Sequence, residues 1–156
     1  LVENHSVKEI VAVVAHEIGH YKKKHIQKRA LISIINTGVM FYLLSIFLDN
    51  QLLFDAFFME KESVYVALLL FGFVYTPANV TLSLIGNWIS RKDEHECDLW
   101  AVDTGAGGDA MVSALKRLSA NNLSNLTPHP LMVFVQFDHP TLLERVNAIH
   151  LKMKDS

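Results

Sequence analysis

The apolar and polar positions of the chain form one amphipathic segment and two long apolar segments. Between residues 6 and 27, apolar residues recur at roughly helical spacing, which predicts an amphipathic helix. Ser6, with Glu9 three residues later, predicts a capping box at its start. Residues 30–48 and 64–89 then form two segments without a single charged side chain. The pattern therefore predicts one amphipathic helix followed by two apolar helices.

Both apolar segments are long enough to cross a lipid bilayer. A helix over residues 30–48 would be about 28 Å long, close to the ~30 Å hydrocarbon core. Residues 64–89 exceed that length, so we expect tilt or a kink, with Pro77 as the kink site. Two buried helices of a soluble core are the alternative, but uncharged helices of this length are uncommon there. We therefore predict an all-α integral membrane protein that contacts the lipid bilayer.

The charges that flank the two apolar segments predict an orientation in the membrane. Basic residues precede the first segment and follow the second: Lys22, Lys23, Lys24, Lys28 and Arg29, then Arg91 and Lys92. The connection over residues 49–63 is mostly acidic, with Asp49, Asp55, Glu60 and Glu62 against Lys61. The positive-inside rule then places both chain ends in the cytoplasm and the short connection outside.

The C-terminal part of the chain predicts shorter helices separated by turns. Residues 90–104 are expected to continue the second apolar helix, and the glycine-rich residues 105–108 to end it. Asp109 is expected to cap a short helix over residues 110–120, followed by a turn-rich loop over residues 121–130. Pro140 is expected to start a last helix that runs to about Lys152.

Composition excludes several classes of protein. The 156 residues are 51% hydrophobic with a net charge of −2, which excludes a disordered chain and gives no basic field for nucleic acid. A single cysteine, Cys97, excludes an intrachain disulfide and a cysteine-rich zinc finger. The length predicts one domain over residues 1–156. Eight histidines are many for this length and direct attention to metal binding.

The amphipathic helix carries the sequence His16-Glu17-Ile18-Gly19-His20. Residues four apart share a helix face, so His16 and His20 can both reach one zinc ion. Glu17 would lie beside the water on the open coordination position, where a carboxylate can take its proton. We expect Val11, Val14 and Ile18 to form the packing face of the helix, and Gly19 to admit a close neighbour. A structural helix with incidental histidines is the alternative.

A catalytic zinc needs a third protein ligand, which the segment after the second apolar helix can supply. Glu94 and Asp98 are four residues apart and share one helix face, with Asp93 and Glu96 expected to point elsewhere. Glu94 can bind zinc, and Asp98 can accept a hydrogen bond that orients a ligand histidine. His95 and Cys97 have ligand chemistry but lack this spacing; a solvated acidic face is the alternative.

Three blocks together resemble the integral-membrane CAAX prenyl protease type 1 family of zinc metalloendopeptidases. They are AHEIGHYKKKH at 15–25, SRKDEHECDLWAV at 90–102 and NLSNLTPHPLMVFVQFDHPTLLERVNAI at 122–149. The sister HtpX-type quality-control proteases share the metal motif and the two spans but match HPTLLERVNAI less closely. The resemblance implies the C-terminal catalytic portion of a longer protease, whose further spans and substrate-binding edge strand would precede the metal helix. Asp93, His95 and Cys97 depart from the family's usual aromatic and small residues.

The resemblance also implies roles for individual residues. It makes zinc the cofactor, with three ligands: His16, His20 and Glu94. Glu17 resembles the general base and Asp98 the carboxylate behind a ligand histidine. His139 resembles the histidine that steadies the oxyanion, and Arg145 an arginine that braces the site. Without the resemblance, the last two would be a loop histidine and a surface charge. We expect four other histidines to be ordinary surface residues: His5, His25, His129 and His150.

Together these expectations predict a zinc-dependent membrane endopeptidase of the inner membrane or endoplasmic reticulum, with its active site on the cytoplasmic side. Its substrate would be a peptide or protein, and the resemblance points to a prenylated C-terminal C-a-a-X tail. One alternative is turnover of misfolded membrane proteins, as in the HtpX type. The other is a catalytically silent zinc-binding module of the membrane.

Overall fold

The computed structural model describes residues 5–48, 50–59 and 63–155, and no strand occurs within them. The all-α prediction is therefore confirmed for this part of the chain. The helices are α1 (Val7–Lys22), α2 (His25–Leu48), α3 (Gln51–Ala56), α4 (Val64–Ala101), α5 (Gly108–Asn121), α6 (Pro130–Gln136) and α7 (Leu142–Lys154). Four residues of the predicted acidic connection lie outside the described residues: Asp49, Glu60, Lys61 and Glu62.

Helix α1 begins as predicted but ends earlier. The capping box is present: the Ser6 hydroxyl accepts from the backbone N–H of Glu9, and the Glu9 carboxylate accepts from that of Ser6. The helix ends at Lys22 rather than at residue 27, because Lys24 adopts a left-handed backbone conformation with φ of 59°. A new helix, α2, then starts at His25. The turn places two residues of the basic run between helices.

The expected packing face of α1 was wrong. Its apolar stripe is 42–77% exposed: Val7, Val11, Val14 and Ile18. The buried positions lie on another face and include Ala12, His16 and Gly19. A β-carbon at Gly19 would lie 3.3 Å from both Cys97 Sγ and the Trp100 ring, so the small residue permits close packing on α4, as expected. The face that packs is thus the one that carries the metal motif.

One compact unit comprises residues 1–26 and 84–156, of which residues 5–26 and 84–155 are described. Its apolar core joins α1, α5 and α7 and contains Ala12, Met111, Val112, Leu115, Val146 and Ile149. A five-residue π-helical turn, Val102–Ala106, ends α4 at the predicted glycines, where Gly105 and Gly107 have φ of 85° and 87°. Helix α5 starts earlier than expected. Gly107 occupies the cap position, and Asp109 lies in the first turn instead of capping it.

The last two helices differ from the predicted boundaries. Residues Pro130–Gln136 form the short helix α6, which the sequence pattern does not predict. It follows a cap in which His129 Nδ1 accepts from the Leu131 N–H. Helix α7 starts at Leu142 rather than Pro140. Its cap is Thr141, whose hydroxyl accepts from the backbone N–H of Glu144 in a second capping box. The capping side chain, rather than the proline, fixes this start.

The second unit, residues 27–83, contains most of α2, the short helix α3 and the first half of α4. Both long helices could cross a membrane: an 18-residue window has a mean hydropathy of 2.1 in α2 and of 1.7 in α4 with its extension to Ala106. Only 6% and 0% of these windows is buried, whereas a core helix of a soluble protein is mostly buried. Helix α4 continues through Pro77. A local apolar cluster of Phe47, Phe54 and Ala67 joins the three helices of this unit.

Candidate metal centre

Three potential ligands converge from α1 and α4. His16 and His20 lie one turn apart on α1, and their Nε2 atoms are 3.2 Å apart. His16 Nε2 lies 3.4 Å from Glu94 Oε2, and His20 Nε2 lies 3.3 Å from Glu94 Oε1. All three side chains are largely buried. The predicted ligand residues are therefore brought together by the packing of α1 on α4.

These distances fit a tetrahedral metal ion. Zinc–nitrogen bonds are about 2.0–2.1 Å, so two ligand atoms of a tetrahedral zinc ion are separated by about 3.3 Å. The two imidazole nitrogens are 3.2 Å apart, and each lies 3.4 or 3.3 Å from a different oxygen of Glu94, so each of these separations agrees with that spacing. Two imidazole nitrogens and one carboxylate oxygen also form a donor set typical of catalytic zinc, which leaves a fourth position open. The residues present therefore fit a zinc ion.

A buried carboxylate supports His16 from behind. The Nδ1 atom of His16 lies 2.9 Å from Oδ1 of Asp98, whose side chain is fully buried. Arg145 on α7 donates to both oxygens of Asp98, from Nε at 2.7 Å and from Nη2 at 2.6 Å. Its Nη1 also lies 3.8 Å from Glu94 Oε2. Arg145 is therefore no surface charge; it forms a bidentate pair that fixes Asp98, which in turn faces His16.

The electrostatic environment of the cluster favours positive charge. Burial alone would lower the pKa of His16, but hydrogen bonds to Asp98 and Glu94 outweigh it and raise this pKa to about 9. Burial likewise opposes the charge of Arg145, yet its pKa is raised because Asp98 binds the guanidinium. A divalent cation at the ligand nitrogens would satisfy the same carboxylate charge that raises the pKa of His16.

His20 has a different support, which the sequence did not predict. Its Nδ1 lies 3.2 Å from Nδ1 of His25, the first residue of α2. His25 is only 1% exposed, so its assignment as a surface histidine was wrong. The two histidines are five positions apart, a spacing at which one helix would not align them. The break after α1, with the left-handed Lys24, returns the chain so that they meet.

His139 and Glu17 lie at exposed positions near the ligands. His139 is in the connection between α6 and α7, with 55% of its side chain exposed and Nε2 3.5 Å from Glu94 Oε1. Its Nδ1 lies 2.9 Å from Asp138 Oδ1, and this hydrogen bond lowers the pKa of Asp138. Glu17 follows His16 on α1 and its side chain is exposed. The roles of both residues stay predictions.

A cavity of about 420 Å³ adjoins this exposed side. His139 and Arg145 form part of its wall, together with α5 and the loop that follows α5. Its lining mixes amides with apolar side chains, among them Asn122, Asn125 and Phe137. Such a mixture can hold an extended peptide, whose backbone needs hydrogen bonds and whose side chains need apolar contacts.

Residues 1–152 match the model of peptidase family M48. The chain belongs to this family of metalloproteases. It is 35% identical over 155 residues to a CAAX prenyl protease 1 homolog of Dictyostelium discoideum and 34% identical over 143 residues to the Homo sapiens homolog. These alignments cover 98% and 90% of this chain, but 36% and 30% of the relatives.

A solved structure shares the fold. The crystal structure of S. mikatae Ste24p matches with a TM-score of 0.79 and 32% identity, over 96% of this chain and 37% of that one. The expected membership of the CAAX prenyl protease type 1 group is thus confirmed. The chain spans about a third of the length of the relatives it matches.

Proposed function

We propose that this chain carries the zinc centre of a membrane endopeptidase. One observation supports this proposal above all: the Nε2 atoms of His16 and His20 lie 3.2 Å apart, and each lies 3.3–3.4 Å from one of the two carboxylate oxygens of Glu94. The two helices that could cross a membrane, and the membership of peptidase family M48, support the membrane and the reaction class. The reaction is the hydrolysis of a peptide bond by water.

Zinc, when bound, supplies a Lewis acid and lowers the pKa of water towards ~7. Glu17 acts as the general base: its carboxylate holds the proton that the attacking water loses, and then delivers it to the leaving amine. Its exposed position beside His16 is compatible with contact to both water and substrate. Asp98, held by Arg145, keeps Nδ1 of His16 protonated, so that Nε2 is the free ligand atom.

His139 donates a hydrogen bond to the oxygen of the scissile carbonyl as negative charge develops on it. Nδ1 of the ring lies 2.9 Å from Asp138 Oδ1, and Nε2 faces the side of Glu94, so Nε2 is the nitrogen placed to donate. Removal of one such donor typically slows an acyl-transfer reaction about 10²- to 10³-fold. Its exposed position next to the cavity is compatible with contact to substrate.

The substrate class is inferred from the relatives. Because they are named CAAX prenyl protease 1, we infer that the whole protein cleaves C-terminal tails that carry an isoprenoid. Such a tail is anchored in the bilayer, so its cleavage requires a protease at the membrane surface. We propose that the peptide binds in the cavity beside His139.

Glu17→Gln tests the reaction most directly. Purified in detergent with a prenylated C-a-a-X peptide as reporter, the parent protein should release the tail. The variant should keep its zinc and lose hydrolysis by at least about 10²-fold, because general-base catalysis contributes that much. Hydrolysis by the variant at the parent rate would remove Glu17 from the mechanism. Equal cleavage of the same peptide without its isoprenoid would favour a quality-control protease. A protein that binds zinc and cleaves neither peptide would be a silent zinc module.

A further inference from the structure

The nitrogen of His20 that faces away from the proposed metal needs a hydrogen-bond acceptor. Since Nε2 faces His16 and Glu94, it is the ligand atom, and the proton of neutral His20 is on Nδ1. The atom that faces this Nδ1, at 3.2 Å, is Nδ1 of His25. For His16 the corresponding group is the carboxylate of Asp98. The second ligand histidine therefore meets an imidazole where the first meets a carboxylate.

His25 is well placed to accept this hydrogen bond. Its ring is buried and its Nδ1 lies 3.5 Å from Cys97 Sγ. If Nδ1 accepts from His20, the proton of His25 lies on Nε2. That atom lies 3.3 Å from Glu96 Oε2 and 3.6 Å from Asp93 Oδ1, so it has carboxylate acceptors within reach. The arrangement thus selects one tautomer of His25.

The turn between α1 and α2 completes the chain of contacts. Lys23 Nζ donates to Glu96 Oε1 at 2.8 Å, while the other oxygen of Glu96 faces His25. Because Lys24 takes the left-handed conformation, Lys23 and His25 both approach the same carboxylate on α4. The series Lys23–Glu96–His25–His20 parallels the series Arg145–Asp98–His16, with one additional imidazole.

We propose that His25 is a positioning residue for the zinc ligand His20, held in its tautomer by Glu96 and Lys23. The inference rests on the proposed zinc centre and adds a support that the sequence did not reveal. Groups that orient metal-bound histidines in this way typically change metal affinity or activity 10- to 100-fold when removed. A second metal ion could also use His25 with Asp93 and Glu96, but the ammonium of Lys23 at Glu96 opposes another cation there.

The test compares two substitutions of the same residue in the full chain purified in detergent. Asparagine can place its amide oxygen where Nδ1 of histidine stands, so His25→Asn keeps the acceptor for His20. Leucine fills a similar volume and accepts nothing. We expect His25→Leu to weaken zinc binding about 10- to 100-fold, measured by competition with a chelator, and His25→Asn to stay within a few-fold of the parent. His150→Leu, at an exposed histidine, is the matched control and should change nothing.

A second readout separates positioning from general destabilisation. In the Co²⁺-substituted protein the visible spectrum reports ligand geometry. We expect this spectrum to differ from the parent's in His25→Leu and to match the parent's in His25→Asn. Glu96→Ala provides a variant at a half-exposed side chain, with little risk to folding, and should weaken zinc binding less than His25→Leu.

The possible results distinguish this inference from the zinc centre itself. If His25→Leu folds and binds zinc with the parent's affinity and Co²⁺ spectrum, the positioning role is refuted while the zinc centre stands. If His25→Leu does not fold, the other two variants decide. The role is then refuted if Glu96→Ala binds zinc with the parent's affinity and His25→Asn has an altered Co²⁺ spectrum. Two zinc ions in the parent, one of them lost in His25→Leu, would replace the role with a second metal site. A parent protein without zinc overturns both proposals.

Discussion

The two proposed ligand histidines of α1, His16 and His20, are each contacted from behind, but in different environments. His16 contacts the fully buried Asp98, which Arg145 binds through two hydrogen bonds. His20 contacts His25, whose carboxylate and ammonium partners are 45% and 39% exposed. An exposed ion pair contributes little, whereas a buried carboxylate that loses its partner is strongly destabilising. The orientation of His16 therefore depends on a buried ion pair, whereas the orientation of His20 depends, through His25, on an exposed ion pair.

The largest expected effect comes from breaking the buried support. Asp98→Ala leaves the guanidinium of Arg145 without its main partner in a buried position, so we expect a loss of about 3–5 kcal/mol in the free energy of unfolding. Denaturant unfolding monitored by circular dichroism measures this. The double variant Asp98→Ala with Arg145→Leu should recover part of the loss, because the unpaired charge is gone. Unfolding of Asp98→Ala at the parent's midpoint would contradict the buried-pair account.

The raised pKa of His16 predicts how pH affects the metal-free protein. Because the folded pKa, about 9, exceeds the ordinary value of 6.5, protonated His16 stabilises the fold fully below pH 6.5. This contribution is lost as the pH rises from 6.5 through about 9. Zinc requires the neutral ring, so zinc affinity should increase over the same interval. Thermal unfolding without metal, and chelator competition at each pH, measure the two trends; a stability independent of pH between 6.5 and 9 would contradict the shift.

A milder substitution at Arg145 removes the bidentate hydrogen bonding to Asp98 but keeps the positive charge. Arg145→Lys retains a cation near Asp98 but cannot form the two parallel hydrogen bonds of the guanidinium. Loss of one hydrogen bond to a charged group costs about 1.5–3 kcal/mol, so the variant should be less affected than Asp98→Ala. Denaturant unfolding of both variants gives the comparison. Equal losses of unfolding free energy in Arg145→Lys and Asp98→Ala would mean that the positive charge alone contributes nothing and that the two parallel hydrogen bonds account for the whole effect.

The smallest effect is expected at the exposed support. Lys23→Ala removes the ammonium from Glu96 but leaves Glu96 free to bind His25, so zinc affinity should fall by less than about fivefold. The effect should shrink further at high salt, because exposed charges are screened. Chelator competition at low and high salt measures it. If Lys23→Ala lost as much zinc affinity as Asp98→Ala, the two supports would not differ as their exposure implies.

The sequence predicted features that follow from fixed spacings along a helix. His16 and His20, like Glu94 and Asp98, are four residues apart, and the structure brings all four together. The capping box at Ser6 is also a local pattern, and it is present. The two apolar segments are visible because uncharged stretches of that length are rare in soluble proteins.

The features that were not predicted depend on tertiary packing. His25 is buried because a turn, and no helical period, returns it to His20. The buried face of α1 was misassigned because close approach to α4 selects Gly19 and the metal-binding side, which no hydrophobic stripe marks. His139 and Arg145 were predicted through resemblance alone; their places depend on how the 137–145 segment meets α4. The orientation in the membrane stays a prediction.

The zinc content of two matched variants on α4 tests the central claim most directly. Glu94→Ala removes the proposed ligand, while Glu96→Ala removes a carboxylate two residues away that faces His25 instead. Elemental analysis of each protein, purified in detergent with zinc in excess, should find one zinc ion per chain in the parent and in Glu96→Ala, and none in Glu94→Ala. Retention of zinc by Glu94→Ala, or its equal loss from both variants, would contradict the assignment of His16, His20 and Glu94 as the metal centre.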